Sequence, residues 1–129
     1  MWKYVQSTGE IFKGSTFVEK GYSGKVPEGK NNPDKECVRD VGPIPRGSYT
    51  IGKERSKPTP VTLPLTPDDP NYCSPPRSGF LIHGDNSTGT ASVGCIILSR
   101  KTREAIRDSD DDRLRVVGES VLTRRRAHR

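Results

Sequence analysis

The chain has no apolar run approaching the roughly 18 residues that a membrane-spanning helix needs, and its mean hydropathy is −0.77. A helical membrane span is excluded on that ground. The opening stretch, MWKYVQSTGEIFKG, lacks the basic start and apolar middle of a secretory signal. The expectation is a soluble chain without a general export address. Metal ligands are scarce too: there are two histidines and no CxxC pair, and His128 lies in a basic terminal stretch. A zinc site on His83, Asp85 and Cys95 would therefore lack a credible fourth ligand. Hydrophobic residues make up only 29% of the 129 positions, alongside 13 glycines and 11 prolines. So thin a supply of core residues, with so many turn formers, favours short strands joined by loops over a helical bundle. The length suits one domain with one core.

The net charge is +6, but four of those charges sit on Arg124, Arg125, Arg126 and Arg129. The body, residues 1–123, is only weakly basic and reads as the single domain. Residues 124–129 read as a solvated, frayed end rather than a nucleic-acid face, which would spread its cations among aromatics over a folded surface. Three cysteines, Cys37, Cys73 and Cys95, leave at least one unpaired within a monomer. A Cys37–Cys73 bridge would leave Cys95 free but needs an oxidising compartment. Two separate thiols are the adopted reading.

Alternation of apolar and polar residues bounded by glycine predicts strands in WKYVQS, EIFK and TFVEKGYSG. Residues 25–36 have no periodicity and read as a loop. GPIPRGSYTIG is a stiff, proline-fixed entry into a strand. In the proline-rich stretch 58–76, VTLPL is expected as an edge strand, because proline cannot donate to a central ladder. The length of that stretch suggests a surface flap beside a site. GFLIHG reads as a short buried strand, and CIIL resumes an apolar run. Ser99 can cap a helix over RKTREAIRDS with Ala105 and Ile106 facing inward, and RLRVVGE reads as the last strand.

Chemistry gathers on His83 and Cys95. A nucleophilic cysteine attacks as the thiolate, so it needs a base or cation nearby and donors aimed at the oxyanion it creates. His83 is the candidate base. The 12 positions between the two span roughly 40 Å when extended, so they meet only if the glycine-rich loop folds back. The N–H groups of Gly94 and Cys95 are candidate oxyanion donors. Asp85 or a backbone carbonyl would orient the imidazole. The order, histidine before cysteine, is opposite to the papain arrangement. Set against this, a cysteine opening CIIL is most often a small buried hydrophobe, and a lone strand histidine is most often satisfied in place.

IHG followed by SVGCI resembles the L,D-transpeptidase signature, in which a strand histidine precedes a Ser/Thr-x-Gly-Cys element across a glycine-rich loop. GPIPRGSYTIG is similar to the segment these enzymes carry upstream of the site. YSG at 22–24 and GCIILSRKTREAI narrow the resemblance to small type VI secretion effectors with an L,D-transpeptidase-like catalytic domain. It extends from Trp2 to about Val117. Val93 stands where many L,D-transpeptidases have histidine, and Ile97 where they have arginine. These departures leave His83 as the sole base candidate and favour the effector branch over a housekeeping enzyme.

The resemblance implies a mainly β, sandwich-like fold with one short helix after the cysteine. It implies a cofactor-free cysteine enzyme in which Cys95, activated by His83, cleaves the meso-diaminopimelate–D-Ala bond of tetrapeptide stems through a thioester, with exchange of D-amino acids as a companion reaction. Ser92 and Gly94 join the catalytic set, Ser92 either stabilising charge or capping the turn. Arg77 is expected to pair with a stem carboxylate, and Gly84, Asp85, Tyr22, Asn31 and Tyr49 to line the cleft. The implied partners are peptidoglycan stem peptides, a cognate immunity protein and the type VI secretion machinery, for a monomer binding neither nucleic acid nor membrane. Synthesis in the cytoplasm and action in a target cell's periplasm follow from the same resemblance. The competing expectations are a non-catalytic wall-binding module, a phage or housekeeping wall enzyme, and a nucleic-acid binder acting through residues 124–129.

Overall fold

The computed structural model describes residues 1–119; the basic stretch 124–129, with His128, lies outside the described residues. The chain forms β1 (Trp2–Val5), β2 (Glu10–Lys13), β3 (Thr16–Lys20), β4 (Tyr22–Ser23), a single 3-10 turn (Pro33–Lys35), β5 (Gly47–Ile51), β6 (Leu63–Pro67), β7 (Phe80–His83), β8 (Ile96–Ile97), α1 (Arg100–Asp108) and β9 (Arg113–Val117). The strands make one sheet in the order β3-β2-β1-β9-β5-β6-β7-β8-β4. Its two edges, β3 and β4, are consecutive in the chain and separated only by Gly21, whose N–H donates to the Gly9 carbonyl. The sheet is therefore nearly closed on itself, and the mainly β architecture with one short helix stands as expected.

Closure gives the few apolar side chains a common interior. Trp2, Tyr4, Ile11, Ile44, Tyr49, Leu63, Leu65, Phe80, Ile82, Ile96, Leu98, Leu114 and Val116 form one buried cluster, which Ile106 of α1 joins. Ser99 caps the helix by accepting from the Thr102 N–H, supplying one of the donors that a helix start leaves open. Thr102, Arg103 and Ile106 form its inward face. Ala105, expected inside, is exposed, because the apolar stripe is one residue narrower than the sequence suggested.

Two pairings depart from the sequence reading. The strand containing VTLPL is central rather than an edge: β6 lies between β5 and β7. Its prolines are tolerated because Pro64 directs its backbone toward Gly52, just past the end of β5, where its carbonyl accepts the Gly52 N–H and no ladder donor is required. The proline-rich stretch thus holds a central sheet strand, and the residues after it, Asp68 to Pro76, run as a loop that lines two clefts. The other departure is covalent. Cys37 and Cys73 form a disulfide with Cα atoms 5.3 Å apart, within the usual bridging range, and Cys95 is the free thiol. The reading of two separate thiols is overturned, because the loop after the 3-10 turn and the loop before β7 are brought side by side at the same end of the sheet.

Candidate active site

His83 ends β7 and Cys95 immediately precedes β8, and these two strands are parallel, with Ile82 opposite Ile96 and His83 opposite Ile97. Extending that register puts Cys95 opposite Leu81. Since Ile82 and Ile96 point into the core, the strand alternation sends His83 and Cys95 to the other face. Strand spacing and rise place their Cα atoms roughly 8 Å apart on the diagonal, a gap that an imidazole and a thiol can span. Parallel pairing needs a connection of about a dozen residues, and residues 84–95 supply it. Asn86 organises that connection by accepting from the Thr88 and Thr90 N–H groups.

The buried imidazole is already oriented. Its Nδ1 lies 2.8 Å from the Gly84 carbonyl, which can only accept, so Nδ1 carries the proton and Nε2 keeps the lone pair in the neutral ring. A backbone carbonyl, not Asp85, is the orienting partner. Asp85 instead accepts from the Tyr22 hydroxyl at 2.6 Å and from the Asn86 N–H. Burial, reinforced by that bond to Asp85, pushes the Tyr22 phenol up to about 12.

Burial also pushes the Cys95 thiol above its ordinary value, while the Leu81 N–H and the Arg77 charge pull the other way. The resting sulfur is a thiol rather than a preformed thiolate, so its activation requires a base. A cleft of about 290 Å³ opens beside it, lined by Arg39, Asp40, Pro76–Phe80 and Val93–Cys95. This cleft sits at the start of β7, His83 sits at the strand's end, and Cys95 lies between. A second cleft of about 580 Å³ holds Tyr22, Lys30, Asn31, Asp85 and Ile97. Ile97 is the residue opposite His83, but the imidazole itself does not line this cleft. Tyr22, Asn31 and Asp85 are thus brought together.

Ser92 caps the turn before Cys95. Its fully buried hydroxyl donates to the Cys95 carbonyl at 2.6 Å and accepts from the Gly24 and Gly94 N–H groups at 2.9 and 3.1 Å. The Gly94 N–H is thereby engaged and does not face a substrate. Among the described residues the Cys95 N–H has no such partner, and it is the candidate oxyanion donor that remains. Arg77 is neither exposed nor available for a carboxylate: its guanidinium is buried and held by four backbone carbonyls. Tyr49 belongs to the core, donating to the Pro45 carbonyl and meeting Phe80 edge-on. It lines a cleft of about 600 Å³ bounded by Pro45–Tyr49, Pro67–Pro70, Tyr72 and Arg115, which shares Arg77 and Phe80 with the Cys95 cleft. Gly84 is buried, its N–H on the Thr59 hydroxyl.

Sequence reasoning missed Arg39, the exposed cation of the Cys95 cleft, and Arg103. The Arg103 guanidinium clamps the Leu98, Pro60 and Val61 carbonyls behind the His83 strand end. Arg39 sits in no motif, and the carbonyl partners of Arg103, which lies within GCIILSRKTREAI, leave no trace in sequence. No group of three potential metal ligands occurs among the described residues.

The nearly closed sheet and the thiol and imidazole on one face of two parallel strands agree with an L,D-transpeptidase-like domain. Residues 18–119 match the Tlde1 domain, an L,D-transpeptidase-like effector domain of type VI secretion, and the chain belongs to that family. No curated protein matches the chain at a significant level.

Proposed function

We propose that the protein is a cysteine L,D-carboxypeptidase that removes the terminal D-alanine from peptidoglycan tetrapeptide stems and exchanges it for free D-amino acids. The observation that carries this reading is that His83 and the free thiol Cys95 share one face of the parallel strands β7 and β8, with the imidazole oriented through Nδ1 by the Gly84 carbonyl. His83 takes the Cys95 proton as sulfur bonds to the carbonyl carbon of meso-diaminopimelate, and the oxyanion forms against the Cys95 N–H. The intermediate collapses as the imidazolium returns the proton to the departing D-Ala amine, leaving a thioester. Water, deprotonated by His83, then releases the tripeptide and regenerates the thiol; an amine in place of water gives exchange. Arg39, exposed at the mouth of the Cys95 cleft, is placed to meet a carboxylate of the stem.

Trimming tetrapeptides removes the D-Ala leaving group that a donor stem needs for L,D-transpeptidation, so the wall of a growing recipient loses that route to crosslinks. Family membership supports delivery by type VI secretion into a competitor's periplasm, and a producer then requires an immunity protein that blocks the site. The test is mass spectrometry of digested muropeptides after incubation with purified protein. Disaccharide tetrapeptide is expected to become tripeptide with the wild type, and to persist with Cys95→Ala and with His83→Gln variants that remain folded. Unchanged tetrapeptide with no D-amino acid exchange after prolonged incubation of the wild type sinks the enzymatic reading.

A further inference from the structure

Two buried arginines stand behind the two reactive side chains, and of the two it is Arg77 that lines the Cys95 cleft. Arg77 Nη1 donates to the carbonyls of Glu36 and Pro43 at 2.5 and 2.8 Å, and its Nη2 to those of Gly42 and Val93, both at 3.3 Å. Its guanidinium also lies 5.5 Å from the centre of the Phe80 ring. Arg103 makes a comparable clamp on Leu98, Pro60 and Val61. Each crowds a glycine beside a reactive residue. A Cβ on Gly94 would fall 2.4 Å from Arg77 Nη2, and one on Gly84 would fall 2.9 Å from Arg103 Nη2. Gly94 also has φ +149°, open in practice only to glycine. The glycine before the nucleophile is thus required twice over, by its backbone and by the arginine packed against it.

Arg77 has no carboxylate partner in any ion pair among the described residues. A buried cation facing only carbonyls is costly unless something anionic develops beside it. It lines the Cys95 cleft, and the Val93 carbonyl it holds belongs to the nucleophile's own turn. Its anchorage is firm at the other end as well. Glu36, whose carbonyl it grips, neighbours the Cys37–Cys73 bridge, and Cys73 Sγ lies 3.7 Å from that same carbonyl.

We propose that Arg77 is the positioning residue of the Cys95 nucleophile, fixing the Val93–Gly94 turn beneath the sulfur and supplying the cation against which the thiolate forms. The other charged or titratable groups facing the sulfur are Arg39 and Asp40 across the cleft and His83 on β7. Arg77 is the one among the cleft cations that is immobilised, whereas Arg39 is exposed to solvent and screened.

The proposal takes Cys95 as the nucleophile but requires no substrate, so its test is separable from the muropeptide assay. Cys95 is the free cysteine among the three, and the rate of its alkylation by iodoacetamide, followed against pH in the folded protein, reads the thiolate directly. Arg77→Met is expected to move the midpoint of that profile up by about one pH unit, a tenfold loss of reactivity on the rising limb. Arg77→Lys, which keeps a cation but cannot grip four carbonyls, is expected to stay within about 0.3 unit of the wild type. Arg103→Met, an equally buried arginine acting on the other strand, is the control and should leave the midpoint in place while lowering the melting temperature. An unmoved midpoint in Arg77→Met, or an equal shift in Arg103→Met, overturns the proposal. Should Arg77→Met fail to fold, Arg77→Lys decides: a full-unit shift with the charge retained refutes the electrostatic role.

Discussion

Replacing the Cys37–Cys73 bridge tests how much of this thin-cored fold rests on one covalent tie. The bridge closes a loop of sequence separation 36 that contains β5 and β6, two neighbouring strands of the sheet. In the chain-entropy model a loop of that length removes about 13 cal/mol/K from the denatured ensemble, or about 4 kcal/mol at 25 °C. Domains of this size are stable by only about 5–15 kcal/mol, so the bridge accounts for a quarter or more of the total. Unfolding entropy near 2 cal/mol/K per residue gives a chain of 129 residues about 0.27 kcal/mol/K, which converts the loss to a drop in Tm of about 15 °C. The measurement is thermal unfolding by circular dichroism of the oxidised wild type, the reduced wild type and the Cys37→Ser/Cys73→Ala double variant. The latter two should melt together and well below the first. A double variant melting within about 2 °C of the oxidised protein would refute the reasoning, since the bridge would then be restraining a denatured chain already confined by residual structure.

Two further perturbations probe the scaffold around the site. Burial pushes the Glu36 carboxyl up, but hydrogen bonds from Arg46, Gln6 and Tyr72 outweigh it and hold the group below the ordinary glutamate value. A depressed folded value means the stabilisation is fully present above the unfolded pKa and disappears as pH falls through the folded one. Glu36→Gln should therefore cost about 2 kcal/mol at pH 7, discounted for the half-exposed Arg46, and much less near pH 3; urea melts showing the same cost at both pH values would contradict it. Ser92→Ala strands the Gly24 and Gly94 N–H groups in a buried turn, and is expected to lower stability by about 2 kcal/mol and to slow Cys95 alkylation at least several-fold. A variant with wild-type urea stability and alkylation rate would show that the turn does not depend on this hydroxyl.

The parts of the fold legible in sequence are those decided locally. The alternation in WKYV and EIFK and the glycine between them, Gly9, specify the N-terminal hairpin, and Ser99 specifies the helix start. What stayed hidden is decided by distant partners. RLRVV reads as a strand, but nothing in it says that it lies between β1 and β5, parallel to one and antiparallel to the other. The prolines of β6 argue locally for an edge, and only the early end of β5 makes a central position affordable. In the site, His83 and Cys95 are legible because residue type carries the chemistry. Arg77 was legible as a cation near the cysteine but not as a buried clamp, because four backbone carbonyls hold it and any residue could have supplied them.

The register of β7 and β8 changes what the glycine-rich loop is for. From spacing alone, residues 84–95 had to fold back and carry His83 onto Cys95, which would make their sequence part of the catalytic geometry. In the structure His83 and Cys95 are set by parallel strand pairing, with the Leu98 N–H donating to the His83 carbonyl at 3.2 Å beyond the last paired residue. The loop only completes the crossover. Its tip, Asn86 to Thr90, is held by its own side chains and is largely exposed, whereas its last residues, Ser92 and Gly94, are buried against Gly24 and Arg77. The geometry of the proposed site is therefore concentrated in the final four residues of the connection and in the clamp beneath them, and the exposed tip takes no part in it.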